Sequence, residues 1–358
     1  MKRCMWIALC LAAGLQAQEA ESGFEVRGTV SEQAVFAQAL EDAPRDGFPA
    51  AAGFRAVLYP TWKLNQHWSV DAAIQTYSRP YFFEQFSTQG YGLKTDVLRA
   101  DLSYSQFWKK ASVVIRAGQM PTAFGSFLLR YDDAENYLID MPLAYGYYGA
   151  GVSTLGLAGA QVDATLGRLD LRAQFVNSSP ANRRSIFDRE QFGNWAGGAG
   201  YTIRQGLRVG VSAYRGPYLD RQFEYYFPGE ADPRDLPATA YGADVEWGRG
   251  HLNVNGEWQH FTMAYHKIPT FREHTGYAEA RYVLGPRWYL AARGGYLSAG
   301  ALGLQEVYEV AVGFRPNRYQ LVKVGYELGQ GGEIRGMHAR TLAVQFVTTF
   351  RAISLARD

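Results

Sequence analysis

Cysteine is nearly missing from this chain: Cys4 and Cys10 are the only two, both within the first ten residues. That segment has the form of an export leader. Lys2 and Arg3 make a basic head, Met5 to Leu15 an apolar core, and Ala17 offers the small residue expected at a cut. Cleavage after Ala17 makes residues 1–17 a signal peptide and leaves 18–358 as one domain, with a cut after Ala20 as second choice. Lipid attachment at Cys10 is disfavoured, because Leu9 stands where a small residue is wanted. A mature chain without cysteine has no disulfide scaffold, no thiol nucleophile and no thiolate-held metal.

Three further absences narrow the field. The 36 basic and 34 acidic residues become equal in number once Lys2 and Arg3 are gone, so the charge balance gives no reason to expect nucleic acid as a partner. No stretch after the leader has about 18 consecutive apolar residues, which excludes a helical membrane span but not a barrel. The six histidines are scattered and none lies in a Gly-x-Ser-x-Gly or His-Glu-x-x-His setting. We therefore expect no catalytic residues, no cofactor and no metal. His260 and His266 flank one predicted loop, and two unassisted histidines are weak grounds for a metal site.

What is present is alternation. Trp68, Val70, Ala72 and Ile74 take turns with Ser69, Asp71 and Gln75; Leu98, Ala100, Leu102 and Tyr104 take turns with Arg99, Asp101 and Ser103. Val162 to Leu166 runs through Gly167-Arg168 into Leu169 to Phe175 with the same period of two. Seven tight polar turns are expected, near Asn65-Gln66, Lys109-Lys110, Gly167-Arg168, Gln205-Gly206, Arg249-Gly250, Gly285-Pro286 and Pro316-Asn317. Longer loops fall between them. The spacing predicts an all-β, antiparallel up-and-down transmembrane barrel of about sixteen strands, with about 14 or about 18 left open, short periplasmic turns and long external loops. Trp62, Trp68, Trp108, Trp247, Trp288 and Phe314 flank the tight turns like a lower aromatic girdle, and Trp258, Phe261, Tyr296 and Tyr326 suit an upper one.

The inward parity carries charge of both signs. Arg99, Arg116, Arg172, Arg208, Arg281 and Arg293 alternate with Asp101, Asp163, Asp170, Asp244, Glu257 and Glu279 among others. Unpaired charge at this density is costly in a dry core, and a water-filled lumen removes the cost. Pairs such as Arg99 with Asp101 could equally brace the wall. The longest connection, 120–150, gathers Arg130, Asp132, Asp133, Glu135 and Asp140, with Met141, Pro142, Leu143 and Tyr145 able to pin it. A solvated external tip is the plainer role for Asp132 and Asp133.

Two stretches carry a resemblance. The strand TLAVQFVTTF, with Leu342, Val344, Phe346, Thr348 and Phe350 on one face, resembles the aromatic-ended closing strand of outer-membrane proteins, though a short tail, 351–358, follows it. The stretch VVIRAGQMPTAFG, Val113 to Gly125, is similar to a strand end and loop start in Gram-negative porins, including those of the phosphate-selective type. The lysines of this chain are scattered, so phosphate selectivity does not carry over. The resemblance implies a porin of the outer membrane, a passive channel for ions and small hydrophilic solutes, whose third long loop narrows the bore. It also implies outer-membrane lipid and lipopolysaccharide as surroundings, the barrel-assembly machinery as a biogenesis partner, and a homotrimer. Small outward residues at Ala158, Ala160, Gly197 and Ala199 would mark the trimer wall. A substrate-specific channel for anions or small organic acids is the alternative, and an outer-membrane enzyme the more remote one.

Overall fold

The computed structural model describes residues 22–37, 50–79, 81, 92–145, 156–176, 193–217, 237–267, 269–300, 303–331 and 340–357. The expected leader and most of the expected long loops lie outside these residues. Sixteen strands are present: β1 Ser22–Ala37, β2 Ala50–Lys63, β3 Trp68–Arg79, β4 Gly92–Trp108, β5 Ala111–Met120, β6 Leu157–Leu166, β7 Leu169–Val176 and β8 Asn194–Arg204. They continue with β9 Leu207–Pro217, β10 Pro237–Arg249, β11 Leu252–Met263, β12 Phe271–Val283, β13 Trp288–Ala299, β14 Leu304–Asn317, β15 Gln320–Gly331 and β16 Arg340–Arg357.

Each strand pairs antiparallel with its sequence neighbours, and β1 pairs with β16, so the sheet closes on itself. Closure leaves no edge whose N–H and C=O groups would need water. All seven tight turns join the strand pairs anticipated. Two sit slightly later in the chain than expected, at Gly250-His251 and Arg318-Tyr319. Gly167, Gly206 and Gly250 take positive φ there, as two-residue hairpin loops require.

The period of two sorts the side chains. Outward positions are apolar and open: Val70, Leu102, Ile115, Val162, Val211 and Val310 all lie on the outer wall. Trp62, Trp68, Trp108 and Trp288 ring its turn end, and Trp195, Tyr241, Trp258, Tyr308 and Tyr326 its loop end. An unbroken apolar band between two aromatic girdles is the surface a bilayer selects.

Three expectations are corrected. A β-bulge between Ala73 and Ile74 of β3 leaves Leu98 of β4 without a cross-strand partner. The extra residue turns Leu98 inward, against Val57 and Ala73, rather than onto the outer wall with Ala100 and Leu102. Phe261 is not part of the upper girdle. It points into the barrel, 4% exposed, and packs with Phe124, Tyr214 and Met263. Residues 351–357, expected as a tail, extend β16 and pair with β1 from Arg27↔Arg351 to Ser22↔Arg357. Lys323, whose neighbours alternate weakly in sequence, proves to be a fully enclosed inward residue.

Candidate functional site

Between β5 and β6 the described chain from Pro121 to Tyr145 folds back inside the barrel. It contains two 3-10 turns, Phe127–Arg130 and Leu143–Tyr145, and touches inward side chains on most of the wall. Such a segment must satisfy its own backbone groups away from regular structure. Here the barrel's inward acids and bases do so.

The loop's first half is held by Glu257 of β11. Its carboxylate accepts from the Ser126 hydroxyl at 2.9 Å and the Ser126 amide at 3.2 Å. It also accepts from the Tyr145 hydroxyl at 2.7 Å, the Gln259 amide at 2.8 Å and the Tyr277 hydroxyl at 3.3 Å. Tyr145 in turn accepts the amides of Ser126 and Phe127 at 2.9 and 3.1 Å. Burial, reinforced by the Glu257 charge, pushes the Tyr145 hydroxyl well above the usual tyrosine range, so it stays a donor. Gly125 makes this approach possible. It sits at φ +81, and a Cβ there would lie 2.3 Å from the Tyr145 oxygen.

The middle of the loop crosses to β1, β2 and β15. Asp132 accepts from Thr29 at 2.9 Å and from the Tyr59 hydroxyl. Asp133 pairs with Arg55 at 3.2 Å and accepts from Tyr81 at 2.9 Å. Lys323 donates to the main-chain oxygens of Asp133 and Leu138 at 2.7 and 2.8 Å. Burial alone would raise the Asp133 carboxyl, yet Arg55 and Lys323 overcome it and hold its pKa below the ordinary aspartate value.

That depressed pKa makes the clamp's stabilisation complete above the ordinary carboxylate range, and lost only as pH falls through the lower value. We expect the Asp133–Arg55 contact to persist as pH falls through the ordinary aspartate range and to open only below about pH 4. Titrating single-channel current in the unaltered protein and in Asp133→Asn checks this, and an acid transition below about pH 4 that is the same in both would contradict it.

The far end of the loop rests on β12, β13 and β14. Glu309 accepts the amides of Ile139 and Asp140 at 2.8 and 3.3 Å, while Arg293 donates to the Asp140 main-chain oxygen and to Glu309, both at 2.6 Å. Arg130 reaches Glu279 at 3.1 Å and the Tyr277 hydroxyl at 3.0 Å. Arg281 stacks on Tyr137, 4.2 Å from the ring centre, and donates to Asn253 at 3.3 Å. Met141 and Leu143 fill apolar notches, the latter against Leu297 and Ala299.

A second set of inward charges has no hydrogen bond or ion pair to the loop among the described residues. Arg99 pairs with Asp101 and, at 3.4 Å, with Asp71; Arg116 pairs with Asp163; Arg208 reaches Asp170 and Asp244, both at 2.6 Å. These groups occupy β3 to β10 and, apart from the buried Asp101, are part-exposed, from Asp244 at 9% to Arg99 at 31% and Asp170 at 35% of their side-chain surface. By contrast Arg55, Glu279, Arg293 and Glu309 are each 3% exposed or less.

Of the twelve residues singled out from sequence, all but one thus separate into two groups. Arg130, Asp132, Asp133, Asp140 and Arg293 meet in the loop clamp, Asp140 through its main chain. Arg281 holds the loop by stacking. Arg99, Asp101, Arg116 and Arg208 lie on the wetter wall, with Arg172 on the same parity and opposite Asp163. Glu135 joins neither group: it is exposed, and among the described residues only its amide is engaged, by the Asp132 oxygen. Sequence reasoning missed Arg55, Tyr59, Tyr81, Glu309 and Lys323. For Arg55, Glu309 and Lys323 the signal was available, because each stands at the inward parity between apolar outward neighbours.

A closed sixteen-strand barrel with a long third loop folded into its bore is the architecture of the outer-membrane porins, and this chain has that fold. Its structure is similar to OprB of Pseudomonas putida, with a TM-score of 0.63 and 11% identity over 92% of this chain and 94% of that one. It is similar to an anion-selective porin from Comamonas acidovorans, with a TM-score of 0.60 and 10% identity over 93% of this chain and 100% of that one. The trimer form of OmpT, an outer-membrane protein of Vibrio cholerae, gives a TM-score of 0.60 and 11% identity over 92% of this chain and 99% of that one. No protein-family model matches the chain, and no curated protein matches it significantly.

Proposed function

We propose that this protein is an outer-membrane porin, a passive water-filled channel for ions and small hydrophilic solutes, narrowed by residues 121–145. One observation carries the proposal: the inward charges divide into a sealed set that grips the loop and a part-exposed set on β3 to β10. A structural barrel needs only the first. Charge left facing solvent inside a closed wall is stable only where water fills the space.

The solutes pass, on this reading, between the loop and the β3 to β10 wall. There Asp71, Asp163, Asp170, Asp244 and Glu246 stand beside Arg99, Arg116, Arg172 and Arg208 on the same surface. Alternating charge at close range suits dipolar solutes and rejects apolar ones, and the balance at the narrowest level sets ion preference. The porin-like fold also supports assembly as a homotrimer, with lipopolysaccharide and lipid around the outer wall and delivery by the barrel-assembly machinery. We assign it no enzymatic activity.

Planar-bilayer recording of the refolded protein tests the pore directly, and absence of discrete current steps would sink it. Within that experiment, Arg208→Gln is expected to release the carboxylates of Asp170 and Asp244 to the passage. The reversal potential in a salt gradient should then move toward the cation limit. A reversal potential equal to that of the unaltered protein would place Arg208 away from the ion path.

A further inference from the structure

On the turn side of the loop, the inner wall of β11 to β14 changes sign. Glu279 and Glu309 are the last inward acids before the turns on β12 and β14, and both are committed. Glu279 meets Arg130 at 3.1 Å and Arg293 at 3.5 Å, and Glu309 meets Arg293 at 2.6 Å. Past them the charged inward residues of these strands are Arg281 and Arg315, and no described inward position there is acidic. Register brings the two into one corner. Arg281 pairs with Asn253 on one side and Ala291 on the other, and Tyr289 pairs with Gly313, two residues before Arg315. The Tyr289 hydroxyl lies within electrostatic reach of both guanidiniums.

Among the described residues neither arginine has a carboxylate. Arg281 stacks on Tyr137 of the loop, 4.2 Å from the ring centre, and donates to Asn253 at 3.3 Å. Its Nε is buried with no hydrogen-bond partner among the described residues. Folded proteins answer a buried donor, because leaving one bare is costly. Arg315 is half-buried, and among the described residues only its main-chain amide is engaged, by the Arg287 oxygen at 2.8 Å. Gly313 lets the neighbouring Tyr289 ring lie against the wall, since a Cβ there would fall 2.0 Å from that ring. Tyr289 donates in turn to the Tyr137 main-chain oxygen at 3.0 Å, so the corner is tied to the loop.

We propose that Arg281 and Arg315, with Asn253, Tyr137 and Tyr289 around them, form a binding site for a small oxyanion, a carboxylate or a phosphate, on the turn-side face of the loop. A guanidinium fork matches the paired oxygens of either group and offers a halide no such fit. On the β3 to β10 wall Arg99, Arg116 and Arg208 each hold a carboxylate already, so an oxyanion there must displace one. Here it displaces none. An occupant fixes Arg281 and, through the stacked ring, the stretch of loop around Tyr137. Binding needs no ion flow, so the site is independent of the pore reading.

Isothermal titration calorimetry of the detergent-folded barrel tests it, with succinate, inorganic phosphate and chloride as probes at constant ionic strength. Succinate or phosphate is expected to bind saturably, at least about tenfold tighter than chloride, and to raise the thermal midpoint of the barrel. Preference between the two tells a carboxylate ligand from a phosphate one. Arg281→Gln and Arg315→Gln should each weaken binding by about tenfold or more, while Arg340→Gln, an exposed arginine on β16, should leave it unchanged. Arg281→Gln also removes a contact to the loop, so Arg315→Gln, whose side chain makes no bond to the loop, is the stricter variant. No saturable heat with either oxyanion, chloride binding as tightly as both, or unchanged affinity in Arg315→Gln overturns the site. Bilayer recording of the same preparation separates the two readings: a barrel that binds the oxyanion without current steps would remove the pore and leave the site.

Discussion

Replacing Arg55 by alanine is expected to unseat the middle of the loop and raise single-channel conductance by about a factor of two, because current follows the open cross-section. Arg55 is 1% exposed and makes at least four contacts at once. It pairs with Asp133 at 3.2 Å, donates to the Tyr131 main-chain oxygen and the Gln75 side chain at 3.1 Å each, and lies over the Tyr131 ring. Removing it leaves the Asp133 carboxylate buried with its principal counter-charge gone, a change that costs about 3–5 kcal/mol where the chain cannot relax. The loop has a cheaper path, which is to swing the aspartate toward the water of the bore. A folded Arg55→Ala protein with unaltered conductance would show that this loop does not limit the current. Arg55→Lys keeps the charge without the fork of donors and should fall between the two.

The second large effect is expected from Glu257→Leu. Five donors converge on this one carboxylate, and a leucine of similar bulk offers none of them an acceptor. An unsatisfied buried donor costs about 1–3 kcal/mol, so even partial relaxation leaves a sizeable loss. The strand ladder is intact in this variant, so the barrel should still form. Its thermal midpoint should drop by roughly 5 °C or more, and the segment 123–130 should become accessible to limited proteolysis. Glu257→Gln retains an acceptor oxygen and should recover most of the midpoint. Protection of 123–130 in the leucine variant would mean that the apolar contacts of Phe124 and Phe127 hold the segment unaided. Arg55 and Glu257 grip different parts of the loop, so the double variant should exceed either single change.

Most of the wall was legible in the sequence because a strand announces itself locally. Val70, Ala72 and Ile74 expose their facing by alternation alone, and a hairpin such as Thr165 to Leu171 is closed by its own glycine. Where local order failed, the cause was a single extra residue. The bulge opposite Ala73 shifts the parity of β4 below Ala100, and nothing near Leu98 marks it. Phe261 failed for a different reason: an aromatic at a strand end reads as a girdle residue until a partner inside the barrel, here Phe124, is known. The loop clamp was half legible. Its acids and Arg130 could be counted, but which wall residues they meet depends on how the chain crosses the bore. Arg55 and Asp133 are far apart in sequence and come together only through closure, so no spacing rule connects them.

Closure itself has a consequence for how the molecule comes to be. The seam between β1 and β16 runs from Ser22↔Arg357 to Ala37↔Thr341, which makes the last strand of the barrel the mate of the first. Every other pairing is between neighbours along the chain and can form one hairpin at a time as the sheet assembles. This one must wait until all sixteen strands are in place, and until then both flanking strands present bare hydrogen-bonding edges and greasy outer faces. The extension of β16 through Ile353 and Leu355 lengthens that final zipper on its turn-side end. Joining the two ends and cutting the chain at Gly167-Arg168 would move the waiting edge to β6 and β7, a much shorter seam, leaving the finished cylinder the same while changing the order in which its staves are set.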